Sequence, residues 1–231
     1  FGRLTRQLRP DATGVRFALT ACTASNSWCG KNSGARVKVT RTERSNSDAV
    51  LRTDEAFLDG FGRARWSHGD SLESGPSIVE TLYDAFGRVS QQTQPYFSGG
   101  TVYATILTRD LIGRVTSRDA PISETQTSGR ITGFKYEGRV LEVTDPATKI
   151  TTRLQNVLGQ LRSITDPSPG GITTYTYHPF GELASITDAA GNATSWSLNG
   201  RGFVNGNSDP DSGIWTYEVN AFGETTKIRD A

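Results

Sequence analysis

Acid/base candidates exist in number in this 231-residue chain, with 24 Asp and Glu, but nucleophiles and metal ligands are few and their spacing narrows the field. Cys22 and Cys29 stand seven positions apart around Ser25-Asn26-Ser27. That is turn chemistry, which lets the pair close a loop as a disulfide in an oxidising compartment or leaves two free buried thiols. Zinc would need two further ligands, and the histidines, His68 and His178, lie far off in sequence. A redox motif needs Cys-x-x-Cys, which the sequence lacks. Ser195 sits in Asn192-Ala-Thr-Ser-Trp196 without the Gly-x-Ser-x-Gly elbow of a hydrolase. No glycine-rich phosphate loop follows a strand and opens a helix. The aspartates recur beside glycine at fixed offsets, so turn formation accounts for them. The expectation is therefore no catalytic residue, no metal or cofactor site, and no enzyme. Ligand chemistry is left to aromatic rings. Trp28 and Trp66, beside polar loops, are candidate stacking platforms for a sugar or surface group, whereas Trp196 and Trp215 read as strand-face residues.

Charge and composition limit the partners. Lys and Arg number 25 against 24 Asp and Glu, a net charge of +1, and the signs are interspersed. A phosphate backbone needs clustered cations, so nucleic acid is not expected. The most basic stretch, Arg36 to Arg44, contains Glu43 and reads as a solvated strand face. No run approaches the 18 apolar residues of a membrane helix. The opening Phe1-Gly2-Arg3-Leu4 has neither a starting Met nor an apolar leader, so the sequence reads as beginning in mid-protein. Apolar residues make up 35%, with 25 Gly, 7 Tyr and 4 Trp. That many aromatics argue against disorder, and the lean apolar content favours a thin sheet over a thick core.

What must position these residues is a repeat. Asn156-Val-Leu-Gly159-Gln-Leu161 is echoed by His178-Pro-Phe-Gly181-Glu-Leu183, Asn199-Gly-Arg-Gly202-Phe-Val204 and Asn220-Ala-Phe-Gly223-Glu-Thr225. Longer copies precede them: Asp59-Gly-Phe-Gly62-Arg63, Tyr83-Asp84-Ala-Phe-Gly87-Arg88-Val89, Asp110-Leu-Ile-Gly113-Arg114 and Glu137-Gly138-Arg139-Val140. A ninth copy begins at Gly2. Eight residues after the glycine stands Pro10, Pro95, Pro121, Pro146, Pro167 or Pro210, with Ala at 189 and 231 and Asp70 as the exception. Nine copies in one register specify a repeat architecture.

Each copy reads as a β-hairpin. Asp or Asn three before the glycine bonds its own backbone and starts a turn, and the glycine takes a φ that other residues avoid. Upstream, Tyr175 and Tyr177, Trp196 and Leu198, and Tyr217 and Val219 alternate with polar residues, as in half-buried strands. Downstream, the apolar residues two and five after the glycine differ in parity, so they share a face only if a bulge intervenes. The closing proline stops the strand because it cannot donate to a ladder. Ser98–Gly100, Ser168–Gly171, Ala189–Asn192 and Asp209–Gly213 supply turns between copies. Residues 1–54 form a degenerate or elaborated part, with strands expected at Val15–Thr20 and Ala35–Thr42 around the cysteine loop, and 55–231 the regular part. The whole of 1–231 reads as one sheet fragment, with no cue for a separate domain.

Tyr83-Asp84-Ala-Phe-Gly87-Arg88-Val89, with its echoes ending in Asp-Pro, resembles the tyrosine-aspartate (YD) repeats of rearrangement-hotspot (Rhs) proteins over nearly the whole chain. Departures are His178 in place of Asp, the displaced Tyr136, and Gln160, Glu182, Phe203 or Glu224 in place of Arg. The resemblance implies an all-β array of hairpin repeats forming a curved or spiralling single-layer sheet, part of a hollow shell. It implies the remaining repeats of the same parent polypeptide and an encapsulated toxin-like cargo, a C-terminal toxin domain, as partners. It also implies a secreted, exported or cell-surface bacterial protein. A cell-surface or carbohydrate-binding adhesion module on the same repeats is the alternative. The family's self-cleaving aspartate site is not expected at Asp209-Pro210-Asp-Ser-Gly213, where glycine falls one place late. The residues expected to matter are architectural: Gly2, Gly62, Gly87, Gly113, Gly138, Gly159, Gly181, Gly202, Gly223, Tyr83, Asp84 and the strand-ending prolines.

Overall fold

The computed structural model describes residues 5–11, 13–23, 29, 34–70, 75–121 and 129–230. The described residues form nineteen strands, and the fold is all-β. The chain divides into two compact units, one reaching to Ile131 and one starting at Thr132. The first unit holds β1 (Arg6–Leu8), β2 (Gly14–Ala21), β3 (Ala35–Arg44), β4 (Val50–Asp59), β5 (Ala64–Gly69), β6 (Ser77–Tyr83), β7 (Val89–Thr93), β8 (Ala104–Arg109) and β9 (Val115–Ala120). Each is antiparallel to the next. The second unit holds most of β10 (Arg130–Glu137), then β11 (Val140–Thr144), β12 (Ile150–Gln155), β13 (Leu161–Thr165), β14 (Ile172–Tyr177), β15 (Leu183–Thr187), β16 (Ala193–Leu198), β17 (Val204–Asp209), β18 (Gly213–Val219) and β19 (Thr225–Asp230). It is likewise a meander of antiparallel neighbours.

The repeat sets the hairpin ends. In the copy at Gly62 the Asp59 N–H donates to the Arg63 carbonyl at 2.9 Å, and the Gly62 N–H to the Asp59 carbonyl at 3.0 Å. This is a three-residue loop whose last residue is left-handed, the geometry of a type I turn with a glycine bulge. Eight anchoring glycines have φ between +59° at Gly138 and +102° at Gly181; Gly2 lies outside the described residues. The bulge that would bring the two downstream apolar residues to one face is present in seven of the described copies, at the third residue after the glycine. Leu154 pairs with Ser163 and Gln155 with Leu161, skipping Arg162. The same slip skips Arg65, Ser90, Thr116, Ala184, Asn205 and Thr226. Leu161 and Ile164 therefore share a face, as do Leu183 and Ile186.

Gly138 is different. Glu137 pairs with Val140 and Tyr136 with Leu141 without a slip, so only Gly138 and Arg139 form the loop. A two-residue turn with left-handed glycine in first place needs no Asx residue. The displaced Tyr136 is the trace of that shorter loop.

At the other hairpin end the prolines do more than stop strands. The Asp145 N–H donates to Lys149 O, the Thr148 N–H to Asp145 O, and Asp145 Oδ1 accepts from the Ala147 and Lys149 N–H groups. Pro146 sits second in that loop, where its fixed φ suits a type I turn, and Thr148 takes the left-handed place at φ 64°. Pro10, Pro167 and Pro210 likewise follow the residue that opens a turn, at Arg9, Asp166 and Asp209. Pro95 and Pro121 lie just beyond β7 and β9.

The irregular N-terminal part belongs to the same meander. Its strands at Gly14–Ala21 and Ala35–Arg44 extend the expected ones slightly, and β3 pairs with β4 along its whole length. Here lies the only fully buried apolar cluster among the described residues: Cys29, Ala35 and Phe57, with Cys22 and Trp66 packed against it. Phe57 and Ile78 are each 1% exposed. In the second unit no described apolar side chain is fully buried.

Candidate functional site

The candidate site is the ladder formed by successive hairpin turns, and it is built upward from one aspartate. Asp59 Oδ1 accepts from the Phe61 and Arg63 N–H groups at 2.9 and 3.0 Å, while Oδ2 receives Arg63 Nε at 2.8 Å. Asp84 with Arg88 and Asp110 with Arg114 repeat this geometry. Burial pushes each carboxyl up, but the bonds from the arginine side chain and the turn amides outweigh it and hold Asp59, Asp84 and Asp110 below the ordinary aspartate value.

The arginine then reaches the next copy. Arg63 lies over the Tyr83 ring at 4.4 Å, a cation–π contact. A Cβ on Gly87 would come within 2.5 Å of the Arg63 guanidinium, and one on Gly113 within 2.5 Å of Arg88. The guanidinium is the far end of a flexible side chain and can give way, so it is the positive φ of +81° and +96° that calls for glycine here. The Tyr83 hydroxyl donates back to Ala64 O at 2.9 Å, beside the bulge of the preceding copy. Tyr177 does the same to Leu161 O at 2.7 Å, and where the tyrosine position is Arg109, its guanidinium donates to Val89 O. Tyrosine, aspartate, glycine and arginine together close one turn and fasten it to its neighbour.

In the second unit the parts change but the fastening persists. Asn156 Oδ1 accepts from the Leu158 and Gln160 N–H groups, and its Nδ2 donates to Gln160 Oε1 at 2.8 Å. Gln160 Nε2 then donates to Gly181 O at 2.8 Å, in the next turn. Asn220 pairs with Glu224 at 2.6 Å in the same way. At Gly223 the neighbour beneath is the ring of Phe203. At Asn156 and Asn220 the Arg position is Gln160 and Glu224, whose side-chain oxygen accepts from the asparagine amide; at Asn199 it is Phe203. His178 keeps the two backbone bonds of its turn, but its ring is turned away to Trp196 O at 3.0 Å.

The remaining sequence candidates are placed as follows. Cys22 and Cys29 form a disulfide, with Cα atoms 5.4 Å apart, over the Phe57 cluster. Trp66 is half-buried against that cluster, and Trp28 lies outside the described residues. His68 is buried, its ring 5.1 Å from that of Phe57; burial pulls its imidazole below the ordinary value, against the pull of Glu55. Asp209 accepts from the Asp211 and Ser212 N–H groups and from Thr194 Oγ1, the bonds of a turn residue. Among the described residues no three His, Cys, Asp or Glu side chains group as metal ligands, and no helix is long and apolar enough to cross a membrane.

One feature escaped the reading of the sequence. The residue before the glycine is a large exposed apolar group at Phe61, Phe86, Ile112, Leu158, Phe180 and Phe222. The signal was present in the recurring Phe-Gly, but a repeat position is easily read as buried.

The RHS Repeat family model matches residues 156–193. No curated protein matches the chain. Among solved structures, the fold is similar to the TcdB2-TccC3 crystal structure, with 16% identity and TM-score 0.64, over 94% of this chain and 13% of that one. The form without the hypervariable C-terminal region gives 16% identity and TM-score 0.63, over 89% of this chain and 13% of that one. The Photorhabdus luminescens Tc holotoxin pore gives 16% and 0.64, over 85% and 12%. This chain therefore spans about an eighth of those chains' length. Such identity speaks to fold alone: the chain is a β-hairpin array, and its residues 156–193 match the RHS repeat.

Proposed function

We propose that the chain is a wall segment of a hollow β-shell that encloses a polypeptide cargo, a toxin-like domain, until delivery. The observation that carries this reading is the turn-to-turn ladder. Neighbouring hairpins are fastened at several steps, through Arg63 and Tyr83, Arg109 and Val89, and Gln160 and Gly181, which supports rigidity along the array without a second layer. A repeat array of this kind draws its stability from nearest neighbours, and a one-layer wall leaves both faces for an interior and an exterior. The recurrent Asp, Arg and Tyr side chains are engaged in turns, which supports a role without catalysis. On this reading the protein is exported from a bacterium, and its partners are further repeats of the same polypeptide and the cargo.

Limited proteolysis of a longer polypeptide carrying these repeats tests the proposal. A C-terminal fragment should resist protease while the wall is intact and be digested after mild unfolding. A fragment equally sensitive in both states would sink the enclosure and leave surface adhesion as the reading.

A further inference from the structure

The short turn at Gly138 breaks the repeat's pairing of charges. In three copies the arginine after the turn glycine is held by the aspartate of its own turn: Arg63 by Asp59, Arg88 by Asp84 and Arg114 by Asp110, at 2.6 to 2.7 Å. Arg139 also follows its glycine, but the two-residue loop has no place for that aspartate. The acids of this hairpin are engaged elsewhere. Glu137 and Glu142 lie 2.8 and 3.5 Å from Lys135 Nζ, and strand alternation puts Lys135 and Glu142 on the opposite face from Tyr136 and Leu141. Arg153 of β12 pairs with Leu141 and so shares the second face. Among the described residues no ion pair or side-chain hydrogen bond holds Arg139 or Arg153. Both line one cavity of about 310 Å³, which Tyr136, Val140, Leu141 and Leu161 wall with apolar surface. The Gln155 N–H donates to Arg139 O at 3.0 Å and fixes the turn against β12.

We propose that this cavity binds a carboxylate carried on an apolar stem. The inference goes beyond the wall reading and does not depend on it. The ligand class follows from the repeat itself: the arginine that elsewhere takes a turn carboxylate has none here, and a second guanidinium stands at the same cavity. Each guanidinium offers a planar fork that matches a carboxylate in bidentate geometry. The apolar walls cover the stem, as in other small-ligand sites, and the volume suits a body of side-chain size. A bare inorganic oxyanion would leave those walls uncovered. Both arginines are solvent-exposed, so the ligand enters without a conformational change, and the affinity expected of such a screened pair is about 1 mM. A free carboxylic acid and an acidic residue of a peptide both carry this chemistry.

Titration of the isotope-labelled full chain, read by NMR at the Gly138 amide and the arginine Nε–H signals, tests the site. Hydrocinnamate should bind saturably, and hydrocinnamamide, of the same shape without the charge, at least about tenfold more weakly. The acetylated, amidated tripeptide Leu-Glu-Leu is the peptide probe; whichever of acid and tripeptide binds tighter names the source, and saturation by either supports the site. Arg139→Gln and Arg153→Gln should each weaken binding about tenfold with circular dichroism unchanged, since both side chains are exposed. Arg139→Lys should recover only part of the loss, because an ammonium lacks the fork. Arg201→Gln, at the Gly202 turn, should leave binding unchanged. No saturation by either probe up to about 20 mM overturns the proposal. So does an amide bound as tightly as the acid, binding indifferent to both cavity variants, or an equal loss in Arg201→Gln.

Discussion

The two units are built from one repeat yet are stabilised differently. The first closes its glycine turns with Asp–Arg pairs at 59/63, 84/88 and 110/114, and it gathers a buried cluster around Phe57 under the Cys22–Cys29 disulfide. The second closes turns with Asn156, Asn199 and Asn220, and among its described residues no apolar side chain is fully buried. A charged turn and an amide turn make the same backbone loop, so the repeat motif specifies geometry more tightly than it specifies charge.

The sharpest way to break this contrast is at Phe57. Phe57→Ala should cost about 3–5 kcal/mol, whereas Trp196→Ala, half-exposed on a sheet face, should cost about 1 kcal/mol. Hydrogen exchange resolved by segment should place the first loss in the first unit alone. Next in size is the disulfide. Cys22→Ser with Cys29→Ser should lower stability by about 2 kcal/mol, and reductant should shift the denaturation midpoint of the first unit without touching the second.

Asn199 sharpens the other side. It accepts from the Arg201 and Phe203 N–H groups, so Asn199→Ala should destabilise its turn by about 1.5 kcal/mol, and Asn199→Asp should not. His178→Asn is the converse: it restores an acceptor for the amides of Phe180 and Glu182 at the loss of one bond to Trp196 O, a gain of about 0.5 kcal/mol by chemical denaturation. The smallest effect is that of acid. Asp59, Asp84 and Asp110 have folded pKa values below the ordinary one, so their contribution is complete above the unfolded value near 3.9. It is lost as pH falls through the folded values. Protection of the Arg63, Arg88 and Arg114 amides against exchange should fall below about pH 4, while that of Gln160 and Phe203, which donate to neutral asparagines, stays level.

Much of the fold was legible because turn chemistry is local. Gly62, Gly87 and Gly159 announce loops by residue type, and period-2 alternation places β14, β16 and β18 between them. The bulge was legible only as a parity conflict, which the skipped residue after each turn resolves. What was not legible depends on residues about twenty positions apart. Nothing in Arg63 says that it lies over Tyr83, nor in Gln160 that it bonds Gly181. The role of proline was half read: Pro10, Pro146, Pro167 and Pro210 end strands as the second residue of the opposite turn. The cluster around Phe57 was hidden because Cys22 and Cys29, which pack into it, stand outside the repeat register.

The central claim is that these turns and strands are a wall. Electron microscopy of a longer polypeptide carrying this array tests it most directly. The account predicts a closed, single-layer β-shell about one sheet thick with density for a polypeptide inside. An open sheet, or a filled globule with a second layer packed across the strands of the second unit, would contradict it.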